Sequence, residues 1–198
     1  MNNESLPSKL ILASTSKYRK LLLQRLAIAF DCHAPDTDET PGPGESPSSL
    51  VSRLATQKAL SVAKDYPEAI VIGSDQLAVL DGQIIGKPGN HQAALKQLSA
   101  CSGRTVIFLT AVTVSCQANG FCEQFTDTTS VDFRTLETGE IETYLEKEKP
   151  YDCAGSFKSE SLGVVLFERV NSEDPSALIG LPLIQTSAML RRAGLRLP

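Results

Sequence analysis

The chain has 198 residues, enough to bury a core of its own as one domain or two small lobes. Its 19 Lys and Arg against 23 Asp and Glu give a net charge of −4 with no basic run, which argues against duplex nucleic acid as a main partner and leaves small anions open. No stretch approaches the roughly 18 apolar residues a membrane span needs, and MNNESLPSKLILAS lacks the basic-then-apolar pattern of a leader, so a cytoplasmic protein with no membrane partner is expected.

In chain order, KLILA (9–13) reads as a buried strand, because four of its five residues are apolar without helical spacing. Ser16 is placed to cap the helix that follows. APDTDETPGPGESPSS (34–49) reads as a long loop, and its acidic residues suit function better than linking. Pro47 opens a helix that runs to about Asp65. VIGSDQLAVLDGQIIGKP gives two strand runs around the hairpin signal Asp81-Gly82. Residues 104–133 form two long alternating strands joined at Ala118-Asn119-Gly120, ETGEIETYLEKE is a helix with a polar face, and GVVLFERV is a further strand. LPLIQTSAMLRRAG closes the chain as a helix stopped by Gly194. Strands and helices mix without a strict βαβ period, so an α/β or α+β fold with a mixed sheet is expected.

Five scattered cysteines without a CxxC pair read as buried reduced thiols rather than as disulfides or a zinc site. The two histidines, His33 and His91, lie near no recognisable nucleophile motif, which argues against a histidine-based triad.

Three features are out of place. The first turn after the strand carries Lys17, Arg19 and Lys20, although a helix N-terminus is itself electropositive. An anion bound among these cations, the hydroxyls before them and the helix N–H groups would resolve the conflict, with extension of Lys17 and Lys20 into solvent as the alternative. Lys58 falls inside the apolar arc of Leu50, Val51, Leu54 and Val62, so it must either reach outward to water or meet a fixed negative charge. Asp75 interrupts an apolar strand run, where a carboxylate needs a metal, a cation or a proton to abstract, unless it marks a turn between two strands. Together with Asp38-Glu39 and Lys87, these residues offer carboxylates for a divalent cation and cations for phosphate oxygens.

The ordered set LASTSKYRKLLL, PDTDET, QKAL, VIGSDQ, IIGKP, CAGSFKSE and GLPL, which covers nearly the whole chain, resembles the Maf family of nucleoside triphosphate pyrophosphatases. Within that family the chain is most similar to the branch acting on 7-methyl-GTP, because GSFKSE places Glu160 where relatives acting on dTTP and UTP carry Gln. The resemblance implies an enzyme, a hydrolase acting on acid anhydrides. It would split 7-methyl-GTP into 7-methyl-GMP and diphosphate with Mg²⁺ or Mn²⁺ and so clear modified nucleotides from the pool. It implies a Maf/ITPase-like fold over residues 1–198, with an elongated mixed β-sheet, flanking helices and two lobes around an active-site cleft, and it is compatible with a homodimer. By matching motif, Asp75 would be the proton acceptor and, with Glu39, a metal ligand, while Lys58 and Lys87 would be catalytic contacts to the triphosphate. Ser14, Ser16 and Arg19 would bind phosphate, and Tyr18, Gln76 and Glu160 would set substrate specificity.

The chain departs from the family pattern at Lys17, where Pro is usual, and at Tyr18, where the methyl-GTP branch tends to show Trp and the dTTP/UTP branch Arg. An N7-methylated guanine is a cation, which an aromatic ring at position 18 and a carboxylate at position 160 both favour. Two other readings remain: a dTTP/UTP pyrophosphatase of the same family, and a non-catalytic nucleotide-binding regulator of cell division.

Overall fold

The computed structural model describes residues 9–197; the first eight residues and Pro198 of the domain expected over 1–198 lie outside the described residues. Among the described residues seven strands form one mixed sheet in the order β2-β1-β3-β5-β6-β7, with β4 paired to β3. The strands are β1 (Leu10–Ala13), β2 (Asp31–His33), β3 (Ile70–Leu80), β4 (Gln83–Ile85), β5 (Thr105–Cys116), β6 (Phe121–Phe133) and β7 (Phe167–Asn171). Five α-helices accompany them among the described residues: α1 (Lys17–Gln24), α2 (Pro47–Ala63), α3 (His91–Cys101), α4 (Thr138–Glu148) and α5 (Leu183–Arg192). The expected α/β class with a mixed sheet is the one observed.

The chain divides into two compact units. The first comprises Met1–Asp75, Thr110–Thr126 and Asp174–Pro198, the second Gln76–Leu109 and Asp127–Glu173.

In the first unit β2, β1 and β3 run parallel, with Ala13 opposite His33 on one side and Gly73 on the other. Parallel strands covered on both faces read as unbroken apolar runs, which is why KLILA shows no alternation. Leu10, Leu12, Ile70 and Ile72 pack with Leu22 and Leu23 of α1 and Met189 and Leu190 of α5. Ile11, Ala13 and Val71 face Ala59, Val62 and Ala63 of α2. The two faces meet different helices because successive strand residues point opposite ways. α2 lies close: a Cβ on Gly73 would come within 2.3 Å of the Ala55 carbonyl, so only glycine lets the helix backbone approach β3 there.

The chain leaves β1 for β2 on one side and returns with β3 on the other, so the end of β1 and the point on β3 where its pairing with β1 stops make a topological switch point, the usual location of a ligand site in parallel sheets. The segment Ser14–Ser16 and the residues just past Gly73 therefore lie where such a site would form.

The second unit is built around aromatic rings. Phe157 meets Phe108, Phe133 and Phe167 edge to face with centroids 4.8–5.7 Å apart, an arrangement that favours the ring quadrupoles. Leu98 of α3, Ile141 and Leu145 of α4, and Leu166 are fully buried there.

Several sequence expectations need correction. Asp75 does not mark a strand break, because β3 continues through it to Leu80. β5 alternates only at its start; from Thr110 onward every residue is buried. In GVVLFERV the chain first makes a 3-10 turn over Leu162–Leu166, and the strand begins at Phe167. Cys101 and Cys116 are buried, but Cys32 and Cys122 are exposed, and no disulfide joins any of the five. No helix among the described residues is long and apolar enough to cross a membrane.

Candidate active site

The site in the first unit starts where β1 ends. The Ser14 backbone N–H donates to Leu12 O at 2.9 Å, turning the chain, and Ser14 Oγ accepts from the Ser16 N–H at 3.1 Å. Ser16 then caps α1, its hydroxyl accepting from the Arg19 N–H at 3.4 Å. Two serines are thus spent on shaping the strand-to-helix turn, and both stand at the electropositive end of α1.

The three cations of that first turn separate. Lys17 and Lys20 are exposed, and Lys17 Nζ lies 4.9 Å from the Tyr18 ring centroid. Arg19 turns inward. Its Nε donates to Gly180 O at 3.0 Å, and its Nη2 lies 3.9 Å from Asp75 Oδ1. Burial holds the Arg19 guanidinium below its ordinary value, with the charges of Asp75 and Glu39 opposing that shift only in part.

Lys58 does not reach outward to water. Its side chain is 7% exposed, and Nζ donates to Asp75 Oδ1 and pairs with Glu39 Oε1, both at 2.6 Å. The apolar arc of α2 carries the lysine inward, the close approach at Gly73 brings it to β3, and two carboxylates meet it there. Arg19, Lys58, Glu39 and Asp75 thus form one cluster of two cations and two anions, centred on a buried aspartate, with Glu39 63% exposed at its outer edge.

Glu39 is held by its own loop. Asp38 Oδ1 accepts from the Thr40 N–H at 2.9 Å. Arg53 of α2 donates to Thr40 O at 3.0 Å and makes a two-point pair with Glu45, both contacts at 2.8 Å. The Arg53 hydrogen bonds, with a further one from the Gly42 N–H, hold the Glu45 carboxyl down to about 2.

A second frame supports Arg19. Gly180, at φ +127, turns its carbonyl to Arg19 Nε and to the hydroxyl of fully buried Ser74, each at 3.0 Å; other residues are strained at that φ. The loop is set by Asp174, whose Oδ1 accepts from the Ser176 N–H and hydroxyl and whose Oδ2 accepts from the Ile184 N–H at 2.7 Å. Ser176 Oγ in turn accepts from the Leu183 N–H at 2.8 Å. Pro182 opens α5 without a capping side chain, so residues from upstream satisfy the helix's unpaired donors.

Lys87, Gln76 and Glu160 belong to the second unit. Lys87 is exposed in the loop between β4 and α3. On either side of it, Gly86 O accepts from Gln97 Nε2 at 3.1 Å and the Gly89 N–H donates to Tyr151 O at 3.0 Å. Gln76 is half-buried in β3, and Glu160 is exposed.

Sequence reasoning missed Arg53, Glu45, Ser74, Asp174, Gly180 and Gln97. Each acts through backbone groups or through a partner distant in sequence, which residue type alone does not announce. A local signal existed only for Asp174-Pro175-Ser176, a turn-forming triplet ahead of a helix.

Among the described residues no cluster of three or more His, Cys, Asp or Glu could hold a metal. Glu39 and Asp75 present hard oxygen donors around a single point now taken by Lys58 Nζ. Two carboxylates fit a Mg²⁺-like cation that completes its shell with phosphate oxygens and water.

The sequence profile described as "Maf-like protein" matches residues 9–193. The chain belongs to the Maf-like protein family. Its relatives include a 7-methyl-GTP pyrophosphatase of Polaromonas sp., 53% identical over 188 residues (95% of this chain, 86% of that protein). A 7-methyl-GTP pyrophosphatase of Albidiferax ferrireducens is 50% identical over 194 residues, covering 98% of both chains. One of Xanthomonas axonopodis pv. citri is 53% identical over 190 residues, covering 96% of this Maf-like chain and 99% of its own. Among solved structures, the Staphylococcus aureus Ham1 protein aligns at 16% identity with a TM-score of 0.45, over 63% of this chain and 71% of that one.

Proposed function

We propose that this Maf-like protein is a nucleoside triphosphate pyrophosphatase that hydrolyses 7-methyl-GTP to 7-methyl-GMP and diphosphate. The observation that carries the chemistry is the Lys58 ammonium held between Asp75 and Glu39 beside the half-buried Arg19. Relatives at about 50% identity over nearly the whole chain that bear the name 7-methyl-GTP pyrophosphatase support the substrate.

In this reading Asp75 takes the proton of a water whose oxygen attacks phosphorus at the α–β bridge. The new P–O bond replaces the bridging one, and diphosphate leaves as the nucleoside monophosphate forms. Ser14, Ser16 and the α1 N-terminus bind phosphate oxygens together with Arg19. Lys58 offsets charge on the triphosphate, the role also proposed for Lys87. Glu39 and Asp75 would hold a divalent cation, Mg²⁺ or Mn²⁺, which when bound polarises phosphoryl oxygens and neutralises developing charge. Arg19 keeps its charge throughout, because a guanidinium is not deprotonated in proteins.

Base selection follows from charge. N7-methylation makes guanine cationic, and an aromatic face at Tyr18 and a carboxylate at Glu160 each favour a cation over a neutral base. Gln76 is the third residue assigned to specificity.

The reading is tested by incubating purified protein with 7-methyl-GTP and Mg²⁺ and identifying the products. Diphosphate and 7-methyl-GMP in equal amounts, abolished by EDTA and restored by Mg²⁺ or Mn²⁺, are expected. Release of orthophosphate would place the cleavage at the wrong bridge. Tight binding without turnover would instead favour a nucleotide-binding regulator.

A further inference from the structure

Glu160 stands at the surface, yet the turn that carries it is fastened from beneath by a largely buried ion pair. Glu148, the last residue of α4, has its side chain 13% exposed, and Lys158 has its side chain 18% exposed. Lys158 Nζ donates to Glu148 Oε1 at 3.0 Å and to Glu148 O at 2.9 Å. The other carboxylate oxygen, Oε2, accepts from the Leu162 N–H at 3.1 Å. One carboxylate therefore grips the chain two residues before Glu160 and two residues after it. Burial alone would raise the Glu148 carboxyl, but hydrogen bonds from Lys158, Ser161 and Leu162 and the Lys158 charge carry it below its ordinary value.

The rest of Lys158 serves the same turn. Its N–H donates to the hydroxyl of buried Tyr144 at 3.2 Å. Its carbonyl accepts from the Gly163 N–H at 3.0 Å and from the Ser161 N–H at 3.4 Å. A Cβ at residue 163 would sit 2.3 Å from that carbonyl, so the turn closes only over glycine.

A buried ion pair is a poor source of stability, since apolar residues of the same volume are often as good; what it supplies is fixed geometry. We propose that Glu148, acting with Lys158, is a positioning residue that holds the Glu160 carboxylate in place to discriminate 7-methylguanine from neutral bases. This rests on the base reading given above for Glu160. Holding the carboxylate still means that binding the cationic base need not order the turn first.

The experiment measures kcat/KM for 7-methyl-GTP and GTP in the wild-type protein, in Glu160→Gln, in Glu148→Gln and in the paired change Glu148→Met with Lys158→Met. Each Glu148 variant is also made with Glu160→Gln. Glu148→Gln keeps the side-chain shape, and the paired apolar change keeps the fold where burial of an uncompensated charge would not. The 7-methyl-GTP/GTP ratio should fall at least about threefold in both Glu148 variants, as expected for loss of a charge-assisted contact, with kcat/KM for GTP moving less than about twofold. On the Glu160→Gln background the same changes should leave the ratio where Glu160→Gln alone puts it. Equal losses on both nucleotides, or a ratio that falls further on the Glu160→Gln background, would overturn the inference and leave Glu148 purely structural. A wild-type protein with no preference for 7-methyl-GTP, or a Glu160→Gln variant that keeps the full preference, would overturn the base reading itself and the inference with it.

Discussion

The two units place the charges of the proposed site differently. In the first, Lys58 and Asp75 are buried and paired with each other, with the half-buried Arg19 beside them. In the second, Lys87 and Glu160 stay at the surface, and groups beneath them (the Gln97 amide, the Tyr151 carbonyl and the Glu148–Lys158 pair) fix the loops that bear them. Buried charges suit bond chemistry, where charge must act in a medium that screens it weakly. Surface charges on fastened loops suit contact with a ligand that must enter and leave.

The sharpest way to break this contrast is at Asp75. Asp75→Asn keeps the side-chain shape and should lower kcat by about 10² to 10⁴ while nucleotide binding persists, measured by single-turnover kinetics beside equilibrium binding. A wild-type rate would remove Asp75 as proton acceptor.

Lys58→Met comes next. A lysine in an apolar arc with no internal partner could be replaced by Met without loss, but here it would leave Asp75 buried beside Arg19 alone. Breaking a buried pair costs about 3 kcal/mol or more, which for a chain of this size lowers Tm by roughly 6 to 12 °C. Adding Asp75→Asn should restore much of that loss, because the uncompensated charge goes with it. An unchanged melting temperature in the single variant would show that the ion cluster is not closed in solution.

This contrast also explains what the sequence revealed. Lys58 and Asp75 were legible as anomalies because a charge in an apolar run is rare and needs a partner, and Arg19 stood out because cations oppose a helix N-terminus. The helices with a capped start and a clear stripe, α2 and α4, were legible for the same local reasons, as was the 81–82 hairpin. α3 escaped because its buried stripe of Ala94, Leu98 and Cys101 is made mostly of small side chains. β2, at three residues, is too short to show a period. Asp75 suggested a strand break because its counter-charge comes from α2, distant in sequence, and with that charge supplied the strand runs on. Gly163 closing onto Lys158 O explains why GVVLFERV begins as a turn. The supports of the site, Asp174, Gly180 and Gln97, were not legible because they work through main-chain carbonyls and N–H groups, which every residue type shares.

Smaller effects sharpen the recognition half. A cation over an aromatic face is worth about 0.5 to 2 kcal/mol, so Tyr18→Ala should shrink the 7-methyl-GTP/GTP ratio roughly two- to thirtyfold. Glu160→Gln should shrink it as well while raising relative activity on UTP, because the amide offers the mixed donor and acceptor edge that uracil matches. Equal decline on methylated and unmethylated guanine would show that neither residue reads the charge.

The smallest effect lies in the loop that carries Glu39. Glu45 is held down to about 2 by Arg53, so its contribution to stability is complete above the ordinary carboxylate range and is lost as pH falls toward 2. Thermal melts of wild type and Glu45→Gln should therefore differ by a constant small amount above about pH 5, with wild type higher, and converge on acidification. A gap that widens in acid would mean that the Arg53–Glu45 pair does not anchor the loop.

The central claim, that a buried ion cluster cleaves a triphosphate chosen for the charge on its base, is tested most directly by the wild-type protein's kcat/KM on 7-methyl-GTP, GTP, UTP and dTTP under identical Mg²⁺. The account predicts 7-methyl-GTP above GTP, and both above the pyrimidine nucleotides. Turnover of UTP or dTTP as fast as that of 7-methyl-GTP would contradict it.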